Sequence, residues 1–549
     1  MYTDMKRTLI ILAAATLAAA CASPEKMAKM AQNVQVSCQP AVLEVVGGSI
    51  DPVVTVTYPK DYFNPNVVLE VTPVIVYDGG EAAMKPIKYQ GEKVKNNYKV
   101  VSSEGQKVTE RLHFDYVEGM EKSHLELRGK VLAGKKSINL PVKKVADGAN
   151  TTYMLVKRAG NLAFKKDNYQ DVIVSTAEGQ IKYNVNSAEV RNSELKGKSV
   201  KEFLAALDAA AANERATVKS TEIVAYASPE GAEKMNDKLS ANRSQSASKA
   251  WDKVVKGHES LDPTVRSVGE DWEGFQQLVS QSNLEDKDLI LRVLSMYSDP
   301  AVRENEIRNM SQVFTALKGE VLPELRRARL IANVEFKNYS NEELLALLEN
   351  NQSVLDEEAL LRVASLVREP AQKEEIYKKA LSQYGSARAM HNLAALYLMQ
   401  GQDAKAEAGF AELDPKDPDV VNAKGVIALH KEDYKAAENA FRQAGTADAK
   451  ANLGIVLILT GRYDEAAQVL KDAEGCCHNT VLAYILTDQL DKAYSSARCG
   501  DPKVWYLKAI IAARQGEADQ VKTCLERAFR NSALKERAAR DIEFAGYEF

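Results

Sequence analysis

The side chains of this chain that are equipped for chemistry are spread out and not gathered. Five cysteines, Cys38, Cys476, Cys477, Cys499 and Cys524, follow no paired spacing of the kind a zinc site needs. The last four lie in helical sequence, where a small thiol packs well in a core; in an oxidising compartment Cys499 with Cys524 is one disulfide pairing, and spacing leaves the connectivity open. His391, His430 and His478 recur at dissimilar places in the C-terminal repeats, which argues against a shared metal, and His113 and His124 fall on the polar phase of strands. There is no phosphate-cradling glycine loop, no HExxH and no GxSxG turn. Carboxylates are plentiful, but none is paired in a way that marks a general acid and base. The expectation is a protein that is not an enzyme and holds neither metal nor cofactor.

Whatever site exists must be positioned by several domains, since 549 residues leave room for roughly three or four at ~150 residues each. A composition 45% hydrophobic and 27% charged is ordinary for folded protein. With a net charge of −4 and no interleaving of aromatics with Lys/Arg clusters, the footprint of a nucleic-acid binder is missing. Residues 1–21 place Lys6 and Arg7 before an apolar stretch from Leu9 to about Leu17, then Ala18, Ala19 and Ala20 before Cys21, the pattern of a bacterial export signal. It resembles a lipoprotein signal, which implies that Cys21 is the lipid attachment site and the mature N-terminus. No later apolar run approaches the ~20 residues needed to cross a bilayer. Acyl chains, at ~0.8 kcal/mol per buried CH₂, would anchor the chain without a helix.

Between residues 34 and 150 apolar residues alternate in short runs, such as Val54, Val56, Tyr58 and Leu112, Phe114, Tyr116. Period two with turns at Gly47-Gly48, Asn64-Pro65 and Asp78-Gly79-Gly80 predicts an antiparallel β-sandwich of immunoglobulin-like size. Between 180 and 337 the pattern becomes strand (IKYNVN), alanine-rich helix, strand (TEIVAYAS) and a further helix, an α/β unit with a helical insertion over 252–322.

Here the sequence resembles the OmpA-like, peptidoglycan-associated family. That family's pattern of threonine-aspartate, glycine, asparagine, leucine-serine and arginine is met without a gap by Ala227-Ser228, Gly231, Asn236, Leu239-Ser240 and Arg243, five of seven positions agreeing. YNVNSAEV and LRRARLIANVEF are similar to its first and last strands. In the family the aspartate and arginine grip the ammonium and carboxylate of a diamino acid in the peptidoglycan stem peptide. The resemblance implies that Arg243 binds the carboxylate, while Ser228, in the aspartate's place, cannot neutralise an ammonium. The lost charge-assisted bond is worth ~1.5 to 3 kcal/mol. Glu230, two residues on, either supplies the missing carboxylate or is a solvent-facing loop residue; Asn236 either caps the loop or meets ligand, and Gly231 either contacts ligand or allows the turn.

From 342 to 549 strand signals vanish and helices repeat. Aligned positions include Leu393, Tyr397, Gly401, Ala406 and Phe410, then Gly425, Tyr434, Ala437 and Phe441, then Gly454, Gly461, Tyr463, Ala466 and Leu470, giving about five helix pairs between Ser386 and Arg530. These resemble tetratricopeptide (TPR) repeats, with a spacing of 27 to 31 residues in place of the usual 34. Such a stack leaves a concave groove for an extended peptide or partner helix, with His391, Asn392, Asn422 and Lys424 among the residues facing it.

The chain is therefore expected to be multi-domain α+β: a β-sandwich, an OmpA-like α/β domain and an all-α TPR-type solenoid. The function expected is that of an outer-membrane lipoprotein on the periplasmic side, an adaptor touching peptidoglycan and docking another envelope protein. Two alternatives stand: an assembly or secretion accessory whose OmpA-like domain binds protein, and a surface-exposed lipoprotein.

Overall fold

The computed structural model describes residues 23–258, 261–471 and 478–549, so the stretch read from sequence as an export signal, with Cys21, and the Cys476-Cys477 pair lie outside the described residues. The chain forms two compact units, one made of residues up to Lys165 together with Pro370–Phe549, the other of Lys166–Glu369.

The first unit begins with a short helix, Pro24–Met30, capped by Ser23 and started by proline, as a helix N-terminus favours. A three-stranded antiparallel sheet follows, in the order Gln35–Gln39, Val53–Tyr58, Gln106–Arg111. An eight-stranded sheet is built around Lys143–Asn150, Ser123–Ala133 and Val68–Tyr77. Side chains from both sheets, Tyr58 and Val108 from one and Leu69, Tyr89 and Val131 from the other, share one buried cluster. The antiparallel expectation needs correction: Val42–Glu44 pairs parallel to Lys143–Asn150, and Ile87–Gln90 parallel to Lys99–Val100.

The rest of this unit is helical. A first helix, α1 (Pro370–Tyr384), precedes hairpins α2 (Ala387–Met399) with α3 (Asp403–Ala411), α4 (Pro418–His430) with α5 (Tyr434–Ala444), and α6 (Ala447–Leu459) with α7 (Tyr463–Leu470). Two more follow: α8 (His478–Leu486) with α9 (Leu490–Ser496), and α10 (Pro502–Gln515) with α11 (Ala518–Ala528). Small residues stand where helices cross closely: a Cβ on Gly425 would meet the Phe441 ring at 2.5 Å, and one on Gly454 the Leu470 side chain at 2.5 Å. Sequence order separates the β region from the array, yet one hydrophobic core runs through both, from Leu43, Ile75 and Leu125 to Val426, Leu457 and Ile510. Glu543 seals the junction, accepting from Asn150, Thr152 and Arg514. The disulfide weighed from sequence is not formed between Cys499 and Cys524.

The second unit carries a four-stranded sheet in the order Val172–Lys182, Arg327–Lys337, Ala216–Ala227, Pro263–Glu270. Strict alternation along Arg327–Lys337 turns Ala328, Leu330 and Ala332 into a core against the helices Lys198–Ala211 and Glu233–Val254, through Phe203, Leu207, Ala247 and Trp251. The insertion expected as wholly helical over 252–322 is corrected here. Residues 263–270 form a strand parallel to Ala216–Ala227, and the added helices run from Trp272 to Leu325 around a core of their own that includes Phe275, Ile290 and Leu322. Helices Asn341–Asn350, with a capping box of Ser340 and Glu343, and Glu357–Leu366 complete this unit.

Candidate functional site

The inner helix of each of four successive hairpins carries an asparagine at the same repeat position: Asn392 on α2, Asn422 on α4, Asn452 on α6 and Asn479 on α8, at spacings of 30, 30 and 27 residues. Asn392, Asn422 and Asn452 are buried on helices that are apolar around them. A buried amide must find partners, and these find them in the chain itself. Residues 155–165, LVKRAGNLAFK, which after Leu155 form neither helix nor strand, run along these inner helices.

The contacts repeat every four residues of the segment. Asn479 accepts from the Lys157 N–H at 2.9 Å and donates to the Lys157 carbonyl at 3.1 Å. Asn452 accepts from the Asn161 N–H at 2.6 Å and donates to the Asn161 carbonyl at 2.9 Å, where Asn422 donates as well. Asn392 accepts from the Lys165 N–H at 2.7 Å and donates to its carbonyl at 2.9 Å. Histidines fill the intervals: His478 Nε2 donates to the Leu155 carbonyl at 2.7 Å, His430 to Ala159 at 3.3 Å and His391 to Ala163 at 3.1 Å. Each pair of bonds to one residue's N–H and C=O is what an adjacent β-strand would supply, so the inner helices replace a strand with a row of side-chain amides.

Two lysines of the segment add charge. Lys157 Nζ reaches Asp501 at 2.5 Å, and Lys165 Nζ reaches Asp417 at 2.9 Å and Asp419 at 2.6 Å. Asp501 and Asp417 are the N-caps of α10 and α4, each followed by proline, so the same device holds both lysines. Burial pushes the Asp417 and Asp501 carboxyls up, but hydrogen bonds from these lysines and from helix N–H groups leave both below the usual carboxylate range. Gly160, at φ +75°, lies so close to α4 that a Cβ there would stand 2.9 Å from both Val426 methyls.

Burial lowers the basicity of His391, and that of His478 to about 4, and the carbonyl each ring faces takes a proton from its Nε2. Of the groove residues named from sequence, His391, Asn392 and Asn422 meet the segment, while Lys424 is exposed. Asn452 and Asn479 were missed. The readable signal was the asparagine recurring in register, with the His-Asn dipeptide at both 391–392 and 478–479.

In the second unit, the residues of the OmpA-like pattern come together around the end of strand Ala216–Ala227. Arg243 is 0% exposed and its guanidinium donates to three carbonyls, Ser187 at 3.0 Å, Tyr226 at 2.9 Å and Asn184 at 3.2 Å. Burial lowers its pKa to about 10. Glu230 accepts from Ser228 at 2.6 Å and from Arg326 at 2.8 Å, and Arg308 donates to its main-chain carbonyl at 2.8 Å. The solvent-facing alternative for Glu230 is thereby set aside: burial pushes its carboxyl up, and Arg326 with Ser228 brings it below the usual range. Asn236 donates to the Gly231 carbonyl at 3.1 Å and to Glu270 at 2.8 Å, tying the loop together. Gly231 is not among the glycines with positive φ, so the turn does not require it on that ground.

No protein-family profile matches the chain. No curated protein matches it either. Similar solved structures include a tetratricopeptide repeat protein from Parabacteroides merdae, 17% identical over 37% of this chain and 91% of that one, TM-score 0.29. Another is Pseudomonas aeruginosa pilF, 15% identical over 36% and 93%, TM-score 0.26. A third is YrrB, described as a TPR protein with an unusual peptide-binding site, 17% identical over 37% and 100%, TM-score 0.21. By its own elements the chain is a mixed α/β protein with a C-terminal array of helical hairpins.

Proposed function

We propose that this chain is a non-enzymatic scaffold of a Gram-negative envelope, acylated at Cys21 and held on the periplasmic side of the outer membrane, whose helical array works by seizing an extended main chain. In this reading the N-terminal sheets are a β-sandwich and residues 180–337 an OmpA-like domain. The observation that carries it is the row of Asn392, Asn422, Asn452 and Asn479, which reads N–H and C=O groups and so accepts many sequences. The segment 155–165 is the occupant seen, and a docked envelope protein would present a similar strand.

The test is a labelled peptide of sequence LVKRAGNLAFK titrated onto the full chain. Lys157→Glu with Lys165→Glu should loosen the internal segment and expose the groove, giving micromolar binding that Asn452→Ala removes. If the peptide binds neither the parent nor the loosened variant, the groove is a permanent internal clasp and the docking reading fails.

Two observations favour the alternative in which residues 180–337 bind protein and not cell wall. The Arg243 guanidinium is committed to carbonyls of its own chain, and Arg326 stands against Glu230 where a ligand ammonium would have to stand. Sedimentation of the full chain with isolated peptidoglycan separates the two, since retention above the level of a non-binding control would restore the cell-wall reading.

A further inference from the structure

We propose that the cleft between the two sheets of the N-terminal region is a binding site for a single-chain anionic amphiphile, a long-chain fatty acid. The cleft has a volume of about 340 Å³. Val56 and Tyr58 of the three-stranded sheet and Leu69 and Leu127 of the eight-stranded sheet line it, together with Lys29 and Val34 from the N-terminal helix and the turn after it. Facing sheets meet at ~10 Å with side chains interdigitated, and native cores leave few voids larger than one water. This space exceeds the liquid share of ten waters at ~30 Å³ each. Its walls are mainly Val, Leu and Tyr. Its size falls within the ~300–1,000 Å³ range of ligand pockets.

Charge names the head group. Besides tyrosines, the ionisable side chains lining the cleft are Lys29 and Lys143, and no aspartate or glutamate lines it. Lys29 is exposed and Lys143 half-buried, and neither ammonium forms an ion pair with a described residue. A cleft with a mainly apolar lining that carries two lysines and no carboxylate fits an alkyl chain ending in a carboxylate. A neutral alkane would leave the lysines without partners, and a short polar acid would leave the walls unfilled. Each methylene drawn into such a slot strengthens binding by roughly fourfold.

The test uses the full chain carrying Cys21→Ser, so that any bound alkyl chain comes from solution and not from a lipid joined to this cysteine. Hexadecanoate should displace a fluorescent polyene fatty acid at one site per chain, with a 1:1 complex in native mass spectrometry. Affinity should rise steeply from octanoate to dodecanoate. Lys29→Glu with Lys143→Glu, both at the surface, should weaken hexadecanoate at least tenfold and leave hexadecanol unchanged; Val56→Trp should fill the slot and abolish both. No displacement by hexadecanoate, equal affinity for octanoate and dodecanoate, or indifference to the charge reversal would each overturn the proposal. If Val56→Trp does not fold, the charge reversal and the chain-length series still decide.

Discussion

Asn452 and Asn161 exchange two hydrogen bonds, side-chain amide against main-chain amide, at 2.6 and 2.9 Å. Asn452 is 0% exposed and also donates to the Asn422 side chain at 2.9 Å, so its polar atoms are satisfied inside the array only while the segment is in place. Asn452→Ala would leave the Asn161 N–H without its acceptor, a loss of ~1–3 kcal/mol. Asn422→Ala should cost less, because the Asn161 carbonyl keeps its bond from Asn452. Denaturant unfolding of the two variants, with hydrogen exchange at the Asn161 amide, checks the order; equal losses would show that the two amides are not placed as described.

Gly160 gives a second, steric handle on the same segment. Its φ of +75° disfavours any side chain, and an added methyl would press on both Val426 methyls at 2.9 Å. Gly160→Ala should destabilise by ~1–3 kcal/mol, the range of overpacked sites. Val426→Ala should recover only the steric part, leaving the backbone strain, so a double-mutant cycle should give a coupling of ~0.5 kcal/mol or more. A coupling near zero would mean that the segment does not lie against α4.

Acid should loosen the clamp before it unfolds much else. His478 is neutral in the folded chain, with Nε2 given to Leu155 and a buried Nδ1 that has no partner among the described residues. A pKa lowered from 6.5 to about 4 means that the unfolded chain binds the proton first. The stability is full above 6.5 and is lost as pH falls from there towards 4, by roughly 3 kcal/mol in all. His391, also lowered by burial, adds to the loss in the same direction. His478→Gln should flatten the profile between pH 6.5 and 4. An unchanged slope in this variant would assign the acid sensitivity elsewhere.

The period-two run at Val54, Val56 and Tyr58 and the glycines of the array made the strands and hairpins legible, because each reports a local spacing. What sequence hid was long-range. Pro263–Glu270, with its run of exposed residues, has the burial of a sheet edge and no clean alternation, so it was read as part of a helical insertion. The segment 155–165 has neither the apolar period of a helix nor that of a strand, since its order comes from side chains more than 200 positions away. Arg243 was matched in position by the family pattern, but the three carbonyls that hold it are brought there only by the fold.

Those carbonyls define the last prediction. A guanidinium that is 0% exposed and donates to Ser187, Tyr226 and Asn184 organises the loop after the first strand of its unit. Removing it strands the Tyr226 carbonyl in a buried setting, at ~1–3 kcal/mol, leaves a cavity where a fully buried side chain stood, and frees the more exposed loop at Asn184 and Ser187. Arg243→Ala should therefore lower the unfolding free energy of this unit by ~3 kcal/mol or more, and Arg243→Lys by nearly as much, because an ammonium cannot reproduce the planar fork. Glu230→Gln, which keeps the hydrogen-bonding shape and removes the charge facing Arg326, should also destabilise, since it leaves a guanidinium whose side chain is 11% exposed without its counter-ion. Differential scanning calorimetry of the two arginine variants gives the answer directly. If Arg243→Ala unfolds at the parent temperature, the guanidinium is not structural and a ligand carboxylate again becomes its natural partner.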